Sequence, residues 1–323
     1  MSGKVTKILS FAFAAVLMAG CTVITSTPRD ASGTGIFVRP EGAKVVLVML
    51  ENGSPEQANS AANPFLQRLA SSGAYFDRYY AVAHPSQPNY VALISGMKAD
   101  AVSGDRKITF PADTPFLGDN RSQHRPSWKL YAEDYPGDKD NCYTEKGYRP
   151  PGSKKDTYSR KHVPYMSFKQ VQEVECKTSI VGFSQFERDT RNRTLSDFSL
   201  VIPNLLHDAH DHDSGVKNSV PNLSQADSWL NDNFSPMLVD EWFQKNAILI
   251  VTFDENDASF PYQDKTGNRV YLAMSGAHVK PGIVHHVYDH YDLLRTIEEI
   301  FNVLPLNPSG GDGQARVIGD VFQ

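Results

Sequence analysis

Cysteine is scarce, with three in 323 residues, so the chain can form at most one internal disulfide. After the first twenty residues no segment has 18 consecutive apolar residues, which excludes a transmembrane helix there. There is no internal repeat and no low-complexity block, so one large domain is the expectation. Basic charge is also in deficit. Without residues 1–20 the chain carries 30 Lys and Arg against 37 Asp and Glu, a formal charge of −7, which argues against nucleic acid as a partner. Nothing in the sequence indicates a protein partner.

What is present begins at the N-terminus. Lys4 and Lys7 precede an eleven-residue, mostly apolar stretch from Ile8 to Met18, too short to span a bilayer but suited to a signal-peptide core. It runs into Leu17-Met18-Ala19-Gly20-Cys21, which resembles a bacterial lipobox. This predicts residues 1–20 as a signal peptide, Cys21 as the lipidated residue of an exported protein of the cell envelope, 21–43 as a tether, and 44–323 as the functional domain. Membrane contact is then through the lipid anchor alone. Cys142 and Cys176 remain. They are either two buried thiols or a disulfide, and an oxidising compartment together with the polar loop between them favours the bond.

Lys44–Leu50 and Ala247–Phe253 are continuous apolar, β-branched runs, the pattern of strands buried on both faces of a parallel sheet. Asn63-Pro64 opens a helix that Gly73 ends. Phe76–Val82 reads as a strand or extended segment, and Trp128–Glu133, Phe198–Ile202 and Val270–Ser275 read as strands. Pro88–Ile94, closed by Gly96, Ala226–Phe243 and the amphipathic Tyr291–Phe301 read as helices. Residues 134–176 read as a loop-rich insertion over the sheet edge. Strands alternating with helices predict an α/β fold, a doubly wound, mostly parallel sheet with helices on both faces.

Both clear strands end in acids, Glu51-Asn52 and Asp254-Glu255. Open α/β sheets bind ligands at the carboxyl ends of their strands, and two acid pairs there repel unless a cation lies between them. Ser86 stands beside a helix start marked by Pro88, where an anion would meet free N–H groups; a serine in that place is otherwise an ordinary N-cap. His207, Asp208, His210, Asp211, His212 and Asp213 fall within seven residues, a density that suits metal ligation or contact with a charged substrate. His162 lies in the insertion, and His285, His286 and His290 precede the last helix.

Taken in order, six pieces resemble one family. They are the strand ending in Glu51-Asn52; His84-Pro85-Ser86-Gln87-Pro88-Asn89-Tyr90 running to Ser95-Gly96; Lys161-His162-x-Pro164; Pro203-Asn204-Leu205 with Asp208-x-His210-Asp211; Thr252-Phe253-Asp254-Glu255; and the segment from His290 to Glu298. They resemble the phosphoesterase family that contains bacterial acid phosphatases and phospholipases C, within the alkaline phosphatase superfamily. The segment from Ser86 to Gly96 is also similar to the nucleophile segment of nucleotide pyrophosphatases, where threonine replaces Ser86 and asparagine matches Asn89.

The resemblance implies Ser86, rather than Ser54 or Ser95, as nucleophile. It implies Glu51, Asn52, Asp254 and Glu255 as ligands, with Ser86, of a divalent metal ion, and His162, Asp208 and His210 lining a phosphate pocket, with Asn89 meeting phosphate charge. Two-metal members of the superfamily carry Asp-His where this chain has Asp254-Glu255. That departure puts a two-zinc site in doubt, and oxygen ligands suit Ca²⁺, Mg²⁺ or Mn²⁺ better than Zn²⁺. The implied activity is hydrolysis of phosphate monoesters, lipid or sugar phosphates included, through a phosphoserine, with cationic His162 or His210 suiting an acid optimum. The rivals are a phospholipase C-type phosphodiesterase and a ligand-binding lipoprotein without turnover. Family phospholipases carry extra C-terminal domains, so the short tail after the last helix favours the monoesterase.

Overall fold

The computed structural model describes residues 37, 39–119, 125–210, 223–256, 267–308 and 310–323. The signal peptide, Cys21, most of the tether, and Asp211, His212 and Asp213 lie outside the described residues.

In chain order the strands are β1 (Lys44–Leu50), β2 (Ala74–Phe76), β3 (Tyr79–Tyr80), β4 (Trp128–Ala132), β5 (Gly147–Tyr148), β6 (Tyr158–Ser159), β7 (Ile180–Gly182), β8 (Phe198–Ile202), β9 (Ala247–Phe253), β10 (Leu272–Gly276), β11 (Gly282–Val284) and β12 (Tyr288–Asp289). The α-helices are α1 (Pro55–Ala58), α2 (Pro64–Ser72), α3 (Ser86–Ser95), α4 (Cys176–Ser179), α5 (Phe183–Asn192), α6 (Leu223–Val239), α7 (Glu241–Asn246) and α8 (His290–Ile300). Among the described residues one eight-stranded sheet has the order β11-β2-β10-β9-β1-β8-β4-β7. Within it β10 alone runs against the others. The fold is the doubly wound, mostly parallel α/β sheet that the strand pattern predicts.

The two continuous apolar runs, β1 and β9, lie side by side at the centre, with essentially every side chain buried. Helices α2, α5, α6 and α7 pack with one another or on β4, β9 and β10, while α3 packs against α8. Parallel register from Lys44↔Ala247 to Leu50↔Phe253 brings both strands to their ends together. The next residues, Glu51 and Asp254, are therefore neighbours, tied by Asp254 N–H donating to Leu50 O at 2.9 Å. Glu51 N–H donates to Asp208 O at 2.7 Å, which draws the chain after β8 to the same edge.

Several boundaries differ from the sequence reading, each for a local reason. The span from Phe76 to Val82 is not one strand; β2 joins the main sheet and β3 pairs with β12 in a second one. Helix α6 ends at Val239, and Asp240 caps a separate α7 by accepting from Trp242 N–H and Phe243 N–H. Asn63 precedes α2 without capping it. Its amide donates to Gln57 O and Ser60 Oγ, and Asp227 of α6 accepts from Phe65 N–H and Leu66 N–H instead. The insertion does more than cover an edge. It holds the β5–β6 hairpin, packs 3₁₀ turns against α3, and is closed by a Cys142–Cys176 disulfide with Cα atoms 5.7 Å apart.

Candidate active site

Ser86 is the first residue of α3, two positions earlier than its proline suggests, and Pro85 is the residue before the helix. All ten residues of α3 are buried, as befits a helix that is polar at one end and apolar around the rest. Ser86 Oγ does not cap the helix. It lies 3.0 Å from Glu51 Oε2 and 3.1 Å from Glu255 Oε1, and donates its single proton to one of them at a time. Lys161 Nζ donates to the same oxygen at 3.3 Å and pairs with Asp105 Oδ2 at 3.0 Å. The other two serines weighed as nucleophile have local duties. Ser54 forms a capping box with Gln57, and Ser95 Oγ donates to Val91 O.

The acids at the strand ends are crowded. Glu51 and Asp254 are fully buried and Glu255 nearly so. Glu51 accepts from Tyr90 Oη at 2.9 Å, and His162 Nε2 approaches its Oε1 to 2.9 Å, outside hydrogen-bond alignment. Burial works to raise the Glu51 pKa, but the charges of His162, then Lys161 and His210, overcome it and hold the carboxyl well below its ordinary range. Asp254 goes the other way. Burial, then the carboxylates of Glu51 and Glu255, push it well above its ordinary value. Glu255 is also raised by burial, against the pull of a close ion pair with His84 Nδ1.

Asn52 adopts a left-handed φ of 50°, which asparagine tolerates better than most residues. Its N–H donates to Asp254 Oδ1 at 3.0 Å and its side-chain amide to Glu51 Oε2 at 3.2 Å. Gly53 follows, where a Cβ would fall 2.1 Å from the Phe253 ring, so only glycine lets the loop pass that close. Asp254 Oδ2 is buried and accepts no hydrogen bond. Among the described residues no ready-made group of three His, Cys, Asp or Glu side chains forms a metal cage. Even so, three mutually repelling carboxylates, an unsatisfied buried oxygen and a serine hydroxyl make an all-oxygen donor set of the kind a hard divalent cation matches.

The other expected residues sit differently from one another. His162 does not line an open pocket. It is 2 % exposed, stacks on Tyr90 with ring centroids 5.3 Å apart, and lies between Glu51 and Asp208, whose Oδ2 is 3.6 Å from Nδ1. Asp208 is buried, and its Oδ1 accepts from His210 N–H at 2.9 Å; the His210 side chain is exposed. Asn89, expected to meet phosphate oxygens, is wholly buried, and its amide holds the turn before Ser86. Its Oδ1 accepts from Val82 N–H and Ala83 N–H, and its Nδ2 donates to Ala83 O and Pro85 O. The Gln87 N–H, one of those expected to face an anion, donates to Asp105 Oδ1 at 3.0 Å.

The remaining histidines are placed by other contacts. His207 stacks on Trp229 and lies 2.9 Å from Glu133 Oε2. His290 links Tyr79 Oη to Asp254 O, and burial lowers its pKa to about 4. His285 and His286 pair with Asp77 and Asp320.

The sequence reading left out Tyr90 and Lys161 as site residues. Tyr90 was findable, because four residues from Ser86 puts it on the same helix face. Lys161 adjoins His162, and a 3₁₀ turn over Arg160–His162 aims the two at neighbouring atoms. Asp105, an isolated loop acid, gives no such signal.

Comparisons with known proteins give the family. The model of the phosphoesterase family matches residues 55–304. Glu51 and Asn52 fall just before that span, while Ser86, Lys161, His162, Asp208, Asp254 and Glu255 fall inside it. The chain is 33 % identical over 278 residues to a phosphatidylinositol-3-phosphatase of Mycobacterium tuberculosis, covering 84 % of this chain and 81 % of that one. It is 29 % identical to a phosphate-repressible acid phosphatase of Penicillium chrysogenum, covering 90 % of this chain and 69 % of the relative. A solved alkaline phosphatase superfamily protein from Vibrio parahaemolyticus shares the fold, with a TM-score of 0.55 at 11 % identity over 85 % of this chain and 74 % of that one. The chain belongs to the phosphoesterase family and is a phosphoric ester hydrolase.

Proposed function

We propose that this protein is a metal-dependent phosphomonoesterase that works through a phosphoserine at Ser86. The observation that carries the reading is the setting of one hydroxyl, with Ser86 Oγ between Glu51 Oε2 and Glu255 Oε1 and Lys161 Nζ at 3.3 Å. The names of its relatives, an acid phosphatase and a phosphatidylinositol-3-phosphatase, support a monoester as substrate.

A neutral serine is a weak nucleophile and needs help to lose its proton. Glu255, whose carboxyl pKa is raised by burial, is the better acceptor of that proton, and the Lys161 ammonium favours the oxyanion left behind. Glu51, Asn52, Asp254 and Glu255, with Ser86 itself, would hold a divalent cation, which would favour the alkoxide and neutralise phosphate charge. His162 keeps Glu51 ionised from behind, Tyr90 fixes its orientation, and Asn89 sets the turn that presents Ser86. The Oγ–P bond forms as the bond to the leaving alcohol breaks, the alcohol takes a proton from His210 or water, and a second water cleaves the Oγ–P bond. In the same reading the domain is exported and held at a membrane by lipid on Cys21.

A chromogenic phosphomonoester and its diester analogue, each assayed before and after chelation, test the reading. Monoester turnover should exceed diester turnover, fall to background on chelation and return with a divalent cation. A chelator-resistant enzyme would remove the metal from the account, and a diester preference would make it a phosphodiesterase.

A further inference from the structure

Beside Ser86 is a cleft of about 150 Å³ whose lining includes Gln87, Asp105, Lys107, Lys146, Arg160 and Lys161. Small-molecule pockets typically measure about 300–1,000 Å³, so this one is sized for a chemical group rather than a whole ligand. Four of its side chains are cationic and one is acidic. The chemistry at Ser86 uses only Lys161 of these, which leaves the other cations without a role in the reaction.

Those cations are weakly neutralised. Lys146 has no ion-pair partner among the described residues. Lys107 reaches Glu145 at 3.4 Å, and Glu145 is 68 % exposed, a setting in which an ion pair contributes little. Arg160 is 2 % exposed, and among the described residues no carboxylate pairs with it. Its guanidinium donates to the carbonyls of Ile108 and Met166, and its Nε is buried with no hydrogen-bond partner. Lys161 joins the cleft to the nucleophile, with one contact to Ser86 and one to Asp105. A recess of one charge sign concentrates oppositely charged groups, and Lys and Arg are the usual partners of phosphate.

We propose that this cleft is a second anion subsite, binding a phosphate group of the substrate other than the one attacked by Ser86. The inference rests on Ser86 as the reacting centre and adds the substrate class. The preferred substrate is an alcohol that carries two phosphates, one hydrolysed and one held by Lys107, Lys146 and Arg160. Two sources have that chemistry: a soluble bisphosphate, and an inositol lipid whose diester phosphate accompanies a monoester.

Calorimetric titration of the wild-type protein with butane-1,4-diphosphonate and with butylphosphonate, neither of which can be hydrolysed, reads the subsite directly. The diphosphonate should bind about tenfold or more tightly, a gap of about 1.4 kcal/mol. A Lys107→Gln, Lys146→Gln double variant should erase that gap and leave butylphosphonate affinity and monoester turnover unchanged. Equal affinity of the two ligands in the wild type, or equal weakening of both in the variant, would overturn the subsite. The source is read from kcat/KM on micellar phosphatidylinositol monophosphate against phosphatidic acid. A selective loss on the inositol lipid in the double variant assigns the lipid, and no selective loss, with the phosphonate gap present in the wild type and erased in the variant, assigns a soluble bisphosphate; a gap that persists in the variant overturns the subsite. Failure of the Ser86 reading looks different: Ser86→Ala would keep near-normal monoester turnover while the phosphonate gap persisted.

Discussion

Glu51 gathers four side chains around one buried carboxylate: Ser86, Tyr90 and Asn52 by hydrogen bonds and His162 by charge. The sequence supplies each of these residues, but not their division of labour. Asn89 is the clearest case. The family resemblance marks it as a residue that meets phosphate charge, and fold geometry makes it a support of the preceding turn. Replacing it by Ala would leave Val82 N–H and Ala83 N–H, both part-buried, without their amide partner, at up to about 1–3 kcal/mol each, while Ala83 O keeps the Asn268 amide. Asn89→Ala should therefore lower the melting temperature and the activity together. A variant that melts like wild type while losing activity would put Asn89 back on the substrate.

Elements were legible where burial is two-sided. Strands β1, β8 and β9 coincide with their sequence runs because a strand covered on both faces has no polar alternation to blur its ends. Helix α5 and strand β7 were not foreseen. β7 is three residues long, too short for a period to register, and α5 is polar apart from a narrow apolar stripe. The insertion was legible as a stapled, loop-rich segment, but not as the wall that delivers Lys161 and His162. Such long-range placement depends on which strands neighbour each other, and no local pattern encodes that.

Helix α8 carries a testable strain of its own. Glu298 is fully buried against Asp312, and burial, then the Asp312 charge, raises its pKa from 4.5 to about 8. An acid that binds its proton more tightly when folded contributes stability that is complete below about 4.5 and is lost as pH rises through about 8. Glutamine keeps an acceptor for Leu306 N–H and can donate to Asp312. Glu298→Gln should melt close to wild type at low pH and above it at alkaline pH, by about 2–4 °C for each kcal/mol of relief. The same difference at both pH values would show that Glu298 does not titrate across this range.

At the scale of the whole molecule, the site lies where the carboxyl ends of β1, β8 and β9 meet the first turn of α3, the edge at which open α/β sheets bind ligands. Among the described residues no helix is long and apolar enough to cross a membrane. On the exported, lipid-anchored reading, attachment depends on one residue. Cys21→Ser should move the protein from the membrane fraction to the soluble fraction without changing its turnover of a soluble monoester. A variant that still sediments with membranes and still incorporates labelled fatty acid would refute the anchor.

The most direct test of Ser86 as nucleophile is a rapid acid quench. The wild-type enzyme is mixed with a ³²P-labelled phosphomonoester, quenched within the first turnovers, digested and mapped. The account expects acid-stable label on the peptide that contains Ser86, no label in Ser86→Ala, and a kcat in that variant lower by about three or more powers of ten. Label on a histidine, or near-normal kcat in Ser86→Ala, would contradict it.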